Sequence, residues 1–206
     1  MKINIIDLGS GNVKSIQNTI EKLNVYAKCV SSVSDLDADL IILPGVGEAG
    51  SYMKRMRQKS FDKYIVNHVN SGGRVIGICL GFQIMTKYSE ESGGVKGLGI
   101  INAVTKKIEK NQTHNGWEYI KFKKKKMKGQ QFHSSQNLTK KYVLSGRVFY
   151  NHEYAVINND KSAFSLPISN DYSKYTGMFV KDRIIGIQFH PEKSQITGKE
   201  LFSMIL

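Results

Sequence analysis

The sequence predicts an α/β fold: a mostly parallel, doubly wound central sheet flanked by helices, with a β-rich second half that adds an antiparallel portion. Two observations lead to this class. Residues 2–108 alternate short apolar runs with stretches of helical spacing, which is the pattern of strands joined by helical crossovers. Residues 97–189 contain strand-like runs joined by short turns, as in antiparallel pairing. No linker or repeat divides the chain, so we expect a single domain over residues 1–206.

The first half alternates strands and helices in the order that parallel pairing requires. Strands are expected at residues 2–7, 25–30, Leu40–Leu43 and Arg74–Ile78. Helical spacing follows at residues 13–23, 53–69 and 80–88. The third strand is apolar throughout, as expected for a strand that is covered on both faces. Right-handed crossovers then place helices on both sides of the sheet.

The second half is expected to be mainly strands, with a closing helix at residues 196–206. The strands are expected at residues 97–108, 142–144, 148–156, 162–168, 175–180 and 183–189. Residues 109–141 are polar and rich in lysine, and they are interpreted as loops and edge strands of the same domain.

The charge balance is strongly basic. Thirty Lys and Arg against 17 Asp and Glu give a net charge of +13, which by itself suggests an anionic partner. Six of these lysines fall within residues 121–128, so the excess is local. Interleaved aromatic residues on a recognisable nucleic-acid fold are absent from the sequence, and no nucleic-acid partner is expected. The lysine run is interpreted as a solvated edge or as a docking surface for an acidic protein face.

Composition also bears on compartment and cofactors. The two cysteines, Cys29 and Cys79, are too few for a disulfide framework, and no Cys or His cluster has the spacing of a zinc site. We therefore expect no metal and no cofactor. Apolar runs are too short for a signal core or a membrane span, which predicts a cytoplasmic protein with no membrane partner.

A candidate nucleophile lies in the run Gly-Ile-Cys-Leu-Gly at residues 77–81, between an apolar strand and a helix. In that context the pattern G-x-nucleophile-x-G predicts a tight turn, with glycine where side chains would collide. Amides at the start of the helix favour a thiolate and can support an oxyanion. Cys79 is the predicted nucleophile, although free cysteine is often only a small buried residue. Cys29 is interpreted in that structural way.

A candidate base lies in the run Gly-Ile-Gln-Phe-His-Pro-Glu-Lys-Ser at residues 186–194. Pro191 favours extended backbone at His190, and the chain is expected to leave the strand without starting a helix. His190 and Glu192 would then project to one side, where the carboxylate can orient the imidazole. Because Cys79 and His190 both follow strands, they are expected to meet at the carboxyl edge of the sheet.

Taken together, three separated motifs resemble the class I, triad-type glutamine amidotransferases. They are Pro-Gly-Val-Gly at 44–47, Gly-Ile-Cys-Leu-Gly-Phe-Gln at 77–83 and the run at 186–194. More narrowly, the chain is similar to the glutaminase subunit of imidazole glycerol phosphate synthase. That likeness includes residues 5–13, Glu90 and Glu91, residues 97–100 and His-Asn-Gly-Trp at 114–117.

The resemblance implies hydrolysis of glutamine to glutamate and ammonia. Cys79 would attack the carboxamide, His190 would move the proton and Glu192 would orient His190. The implied substrate-binding residues are Gly45, Val46, Gly47, Leu80, Gln83 and Glu91, with main chain at 152–154. Of these, the Val46-Gly47 loop and Leu80 would supply the oxyanion hole, while Gln83 and Glu91 would hold the polar ends of the substrate.

The resemblance also implies a heterodimer with a (β/α)8 barrel synthase that uses the ammonia in histidine biosynthesis. Asn12, Trp117 and Lys193 match positions at or near that interface. Two residues depart from the family pattern: Glu153 replaces the Ser of a His-Ser-Tyr run, and Glu118 replaces an Asn. A paralogue that supplies ammonia to another synthase, such as one that amidates surface sugars, is the alternative. A cysteine peptidase and a nucleic-acid module are the competing classes.

Overall fold

A computed structural model describes residues 1–109, 113–123 and 143–206. Most of the lysine run and the first residue of the strand expected at 142–144 lie outside the described residues. In the described segments, the α-helices are α1 (Val13–Glu21), α2 (Ala49–Gln58), α3 (Phe61–Asn70), α4 (Leu80–Gln83) and α5 (Gln195–Ile205). The strands of the first half are β1 (Ile3–Ile6), β2 (Ala27–Val30), β3 (Leu40–Leu43), β4 (Arg74–Ile78), β5 (Tyr88–Ser89) and β6 (Val95–Lys96). Those of the second half are β7 (Ala103–Lys107), β8 (His114–Lys123), β9 (Val143–His152), β10 (Tyr154–Asn158), β11 (Phe164–Pro167), β12 (Thr176–Lys181) and β13 (Ile184–Ile187).

The central sheet has seven strands in the order β11-β12-β13-β4-β3-β1-β2. The five strands from β13 to β2 pair in parallel, and β12 and β11 extend the sheet with antiparallel pairing. Alternate residues of β3 enter two different cores: Leu40 and Ile42 pack on one face, and Ile41 and Leu43 on the other. This fully apolar strand is therefore covered on both sides, and the predicted fold class is confirmed.

Helices cover both faces of the sheet. Helices α1 and α5 pack on one face, through side chains such as Ile16 and Phe202. Helices α2 and α3 pack on the other face, through Met53 and Ile65 among others. The carboxyl ends of β4 and β13 are adjacent, because Ile78 pairs with Ile187, and this pairing brings together the residues that follow each strand.

The remaining strands form two smaller sheets. One has the order β10-β7-β5-β6, and the other is the antiparallel ribbon of β8 and β9, ten residues on each side. The ribbon pairs His114 with His152. The two strands expected at residues 142–144 and 148–156 are thus replaced by β9, which continues to His152, and by β10.

Two predicted helices differ from the observed ones. The stretch at residues 53–69 is broken by Ser60, whose positive φ of 60° separates α2 from α3. The helix expected at residues 80–88 ends as α4 at Gln83, and Tyr88 belongs to β5. Here tertiary contacts override local periodicity. The Ile84 carbonyl accepts from the Leu98 N–H at 2.7 Å and not from a following turn of helix. The same contacts keep residues 97–102 out of the strand expected at 97–108.

No helix in the described part of the chain is both long enough and apolar enough to cross a membrane.

Candidate active site

Cys79 occupies a strained turn between β4 and α4. Its φ of 49° and ψ of −108° lie where residues with a side chain are rarely found. The Cys79 N–H donates to the Ile187 carbonyl at 2.7 Å, which ties the turn to β13. The side chain is only 6% exposed. The predicted nucleophile is thus held in an unfavourable backbone conformation, with its turn tied to the neighbouring strand.

Glycines around the turn leave no room for a side chain. A Cβ on Gly77 would lie 2.7 Å from the Gly81 carbonyl oxygen, and a Cβ on Gly81 would lie 2.0 Å from the Leu43 carbonyl oxygen. Gly45 presses on the start of α4, where its Cβ would lie 2.4 Å from the Leu80 nitrogen. The steric role predicted for glycines two residues before and after Cys79 is confirmed.

His190 follows β13 and faces Cys79. Its backbone is extended, with φ −100° and ψ 96°, as predicted from Pro191. The prediction that no helix follows is wrong, because Pro191–Lys193 forms a 3-10 turn with proline at its first position. That turn directs the fully buried carboxylate of Glu192 back to His190, and Glu192 Oε1 lies 2.7 Å from His190 Nδ1.

The electrostatics of His190 favour its protonated form. Burial alone would lower the pKa of His190, since the residue is 2% exposed. Electrostatic attraction and hydrogen bonding from the Cys79 side chain and the Glu192 carboxylate outweigh this burial and raise the pKa of His190 well above its ordinary value. The ring can therefore hold a proton beside the sulfur, with its other nitrogen oriented by a carboxylate.

These residues border one pocket of about 330 Å³. Of the nine predicted site residues, Glu192 lies behind His190 and the other eight line the pocket. The eight lining residues are Gly45, Val46, Gly47, Cys79, Leu80, Gln83, Glu91 and His190. The predicted wall at 152–154 is also present, formed by residues 151–154.

Two polar side chains of the pocket have defined partners. Gln83 is buried, and its Nε2 donates to the Tyr154 carbonyl at 2.6 Å. Glu91 is partly buried and accepts from the Ala49 N–H at 3.2 Å. Burial raises the pKa of Glu91 above its ordinary value, although the hydrogen bond from Ala49 opposes this. Both groups are anchored by backbone and can present their remaining polar atoms to a small polar ligand.

Other residues of the site were not assigned to it from the sequence. Gln188 Nε2 lies 3.7 Å from the Cys79 sulfur, and the Asn151 carbonyl lies 4.0 Å from it. Alternation along the strand end offers a signal for Gln188, which lies two residues before His190 and points to the same face. For Asn151 there is no such signal, because a backbone carbonyl carries no residue-type information.

Of the three residues expected near an interface, Lys193 lines the pocket, and Trp117 shares a neighbouring ring with it. Trp117 is 38% exposed, and its ring packs edge-on against Phe149. Lys193 Nζ lies 5.7 Å from the centre of the same Phe149 ring. Asn12 instead donates its side-chain amide to Glu192 Oε1. It therefore contacts the buried carboxylate directly.

The fold, with its strained turn after β4, is that of a glutamine amidotransferase. The chain belongs to the family described as "Glutamine amidotransferase class-I", whose family model matches residues 4–204.

Its curated relatives narrow the comparison. The chain is 34% identical over 203 residues to "Imidazole glycerol phosphate synthase subunit HisH" of Oceanobacillus iheyensis, covering 97% of this chain and 95% of the relative. It is 36% identical over 206 residues to "Imidazole glycerol phosphate synthase subunit HisH 2" of Methanococcus maripaludis, covering 97% and 96%.

Solved structures agree on the fold. The chain superposes on a chain of "Structure of PurLQS from Thermotoga maritima" with a TM-score of 0.74 at 17% identity, covering 100% of this chain and 98% of the other. It superposes on "Crystal structure of glutamine amidotransferase" with a TM-score of 0.69 at 15% identity, covering 97% and 96%.

Proposed function

We propose that this chain is the glutaminase subunit of imidazole glycerol phosphate synthase, with residues 1–206 as its single amidotransferase domain. The observation that carries the proposal is that Cys79 and His190 line one small polar pocket, with Glu192 Oε1 2.7 Å from His190 Nδ1. The relatives named HisH match nearly the whole chain, and the pathway is inferred from their names.

In the proposed reaction, the Cys79 sulfur attacks the side-chain carboxamide carbon of glutamine. His190 takes the thiol proton and returns it to the nitrogen as the C–N bond breaks and ammonia leaves. A water molecule then adds to the γ-glutamyl thioester, and glutamate is released with the thiol restored. Because His190 has a raised pKa, it can serve as the proton donor in the first half of this cycle.

The negative charge that develops on the carboxamide oxygen must be stabilised by hydrogen-bond donors. Val46, Gly47 and Leu80 line the pocket together with Cys79, and we assign the oxyanion hole to backbone amides of these residues. Preorganised amide donors act most strongly where water is excluded. Gln83 and Glu91 are assigned to the polar ends of the substrate, with the Glu91 carboxylate suited to an ammonium group.

The ammonia acceptor is proposed to be a (β/α)8 barrel synthase that docks over Trp117 and Lys193 to form a heterodimer. A reducing cytoplasm, the proposed compartment, keeps Cys79 as a free thiol. The alternative of a paralogue serving another synthase is favoured by Glu118 and Glu153, which depart from the family pattern beside the pocket and the proposed docking side.

The decisive experiment is genetic complementation with a biochemical control. The wild-type gene should restore growth without histidine to a strain that lacks this subunit and carries the matching barrel synthase, whereas Cys79→Ala should not. Glutaminase activity without complementation would favour the paralogue, and copurification from the native cell would then identify its synthase. Hydrolysis of peptides but not of glutamine would overturn the assignment.

A further inference from the structure

Two buried histidines lie side by side, apart from Cys79 and His190, and one of them, His152, lines the pocket. His114 Nδ1 lies 3.2 Å from His152 Nε2, and each residue is 7% exposed. At one end, His152 Nδ1 lies 2.9 Å from the Tyr154 carbonyl oxygen. At the other end, His114 Nε2 lies 3.1 Å from Glu118 Oε1. Four groups thus form one continuous hydrogen-bonded chain.

The protons in this chain can be counted. A carbonyl oxygen only accepts, so His152 Nδ1 must carry a hydrogen for a favourable contact with it. Neutral His152 then accepts at Nε2, and His114 donates to it from Nδ1. Neutral His114 is left with a lone pair at Nε2, facing a Glu118 carboxylate that also only accepts. An attractive contact at this end requires one further proton, on the imidazole or on the carboxylate.

Reversing both tautomers moves the conflict to the opposite end. His114 then donates to Glu118, but His152 presents a lone pair to the Tyr154 carbonyl. Without the further proton, one contact in the chain is therefore repulsive in either arrangement. Unmatched buried polar contacts of this kind cost substantial free energy.

The far end of the chain is part of the pocket. The Tyr154 carbonyl also accepts from Gln83 Nε2 at 2.6 Å, and His152, Tyr154 and Gln83 all line the pocket. If His152 directed a lone pair at the Tyr154 carbonyl, the repulsion would move this carbonyl away from Gln83 Nε2. The proton count at Glu118 is thus linked to the position of a substrate-binding side chain.

Other titratable groups face the histidines from neighbouring elements. Tyr150 on β9 and Tyr172 in the segment before β12 stack on the His114 ring at 4.9 and 4.6 Å between centres. The positive charge of His190 acts on His152 from the end of β13. Burial lowers the pKa of His114 while Glu118 opposes it, and burial with the nearby histidines lowers the pKa of His152 to about 3.

We propose that Glu118 and His114 are positioning residues for the glutamine pocket, and that the proton they share sets the tautomer of His152. The proposal rests on the proposed function. With the proton present, the Tyr154 carbonyl stays on Gln83 and the pocket is ordered. When the proton leaves as the pH rises through the pKa of His114, which burial lowers below the ordinary histidine value, the pocket wall loosens and glutamine binds less tightly.

Glu118→Gln is the informative substitution. A glutamine amide is nearly isosteric and can donate an N–H to His114 Nε2, which satisfies the whole chain without a further proton. In a Cys79→Ala background, which prevents turnover, glutamine affinity is measured by NMR titration between pH 4.5 and 8. We expect the affinities of the two proteins to converge toward the acid end of this range, and the Glu118→Gln protein to bind about three- to tenfold more tightly at pH 8.

A gain in affinity cannot arise from misfolding, so the expected outcome is specific. Glu109→Gln is the matched control, because Glu109 is exposed and pairs with Lys174 away from this chain of contacts; it should follow the parent at every pH. Superimposable pH profiles for Glu118→Gln and its parent would overturn the proposal.

Imidazole nitrogen NMR separates this proposal from the proposed function, because it needs neither glutamine nor turnover. Signals of His114, assigned with a His114→Gln variant, should show uptake of the further proton as the pH falls in wild type but not in Glu118→Gln. If glutamine fails to bind at any pH, the proposed function fails, while this measurement still decides whether Glu118 and His114 share a proton. Histidine signals that stay neutral and do not titrate in wild type would overturn the proposed proton sharing.

Discussion

The side-chain amide of Asn12 donates to the same oxygen of Glu192 that contacts His190. Asn12 lies just before α1, whereas Glu192 follows β13, so the contact joins residues 180 positions apart. The other carboxylate oxygen, Oε2, has no partner within the described residues. Asn12 therefore holds in place the group that orients His190.

Replacing Asn12 should impair turnover without impairing glutamine binding. Loss of a hydrogen bond to a buried carboxylate is expected to lower kcat of Asn12→Ala about 10-fold or more while KM changes little. Steady-state glutaminase kinetics over a pH series provide the test, because a misoriented His190 also shifts the profile. Asn18→Ala, on the exposed face of α1, is the control. A raised KM with unchanged kcat would assign Asn12 to binding instead.

Glu91 should contribute to substrate affinity through its charge. Glu91→Gln keeps an acceptor for the Ala49 N–H but loses the carboxylate, so KM for glutamine should rise about 10-fold with kcat nearly unchanged. Because the pKa of Glu91 is raised, the wild-type KM should also rise as the pH falls through that value. Glu90→Gln, which removes an exposed ion pair with Lys106, should leave KM unchanged; equal effects of the two variants would contradict the assignment.

The close contacts of Gly81 predict a large loss of stability on adding one methyl group. A Cβ at Gly81 would overlap the Leu43 carbonyl, and Gly81→Ala should lower the free energy of unfolding by at least about 2 kcal/mol. Gly116 has open space at the Cβ position, so Gly116→Ala should change the free energy of unfolding little. Urea unfolding of both proteins measures the difference, and equal midpoints would show that the turn can relax.

Acid stability should depend on His152. Its pKa is lowered to about 3 in the folded protein, so between that value and an ordinary histidine pKa the unfolded chain binds more protons. Stability from this group is therefore present above the unfolded pKa and falls by up to about 1.4 kcal/mol per pH unit as the pH decreases. Urea unfolding from pH 4 to 8 should show a shallower slope for His152→Asn. Parallel slopes would mean that His152 takes up its proton without unfolding.

Much of this protein can be predicted from sequence because the decisive signals are local. Strands β3 and β4 coincide with the predicted apolar runs, and the glycines around Cys79 predict the tight turn that the structure contains. Eight of the pocket residues and Glu192 are predicted from the sequence, because three separated motifs carry all of them except Glu91, which the narrower family likeness supplies. Gln83 and Glu91 have no distinctive pattern of their own, because a polar residue on a helix or loop is common, and only the family resemblance points to them.

Only the tertiary structure decided which distant groups meet. The end of α4 at Gln83 depends on the backbone of residues 98–101, and the 3-10 turn that returns Glu192 to His190 replaces the extended chain expected there. The contact of Asn12 with Glu192 and the pairing of His114 with His152 likewise join segments far apart in the chain. Periodicity and steric crowding act between neighbours in sequence, whereas hydrogen bonds across the sheet and the β8–β9 ribbon depend on register, which no local pattern in this chain encodes.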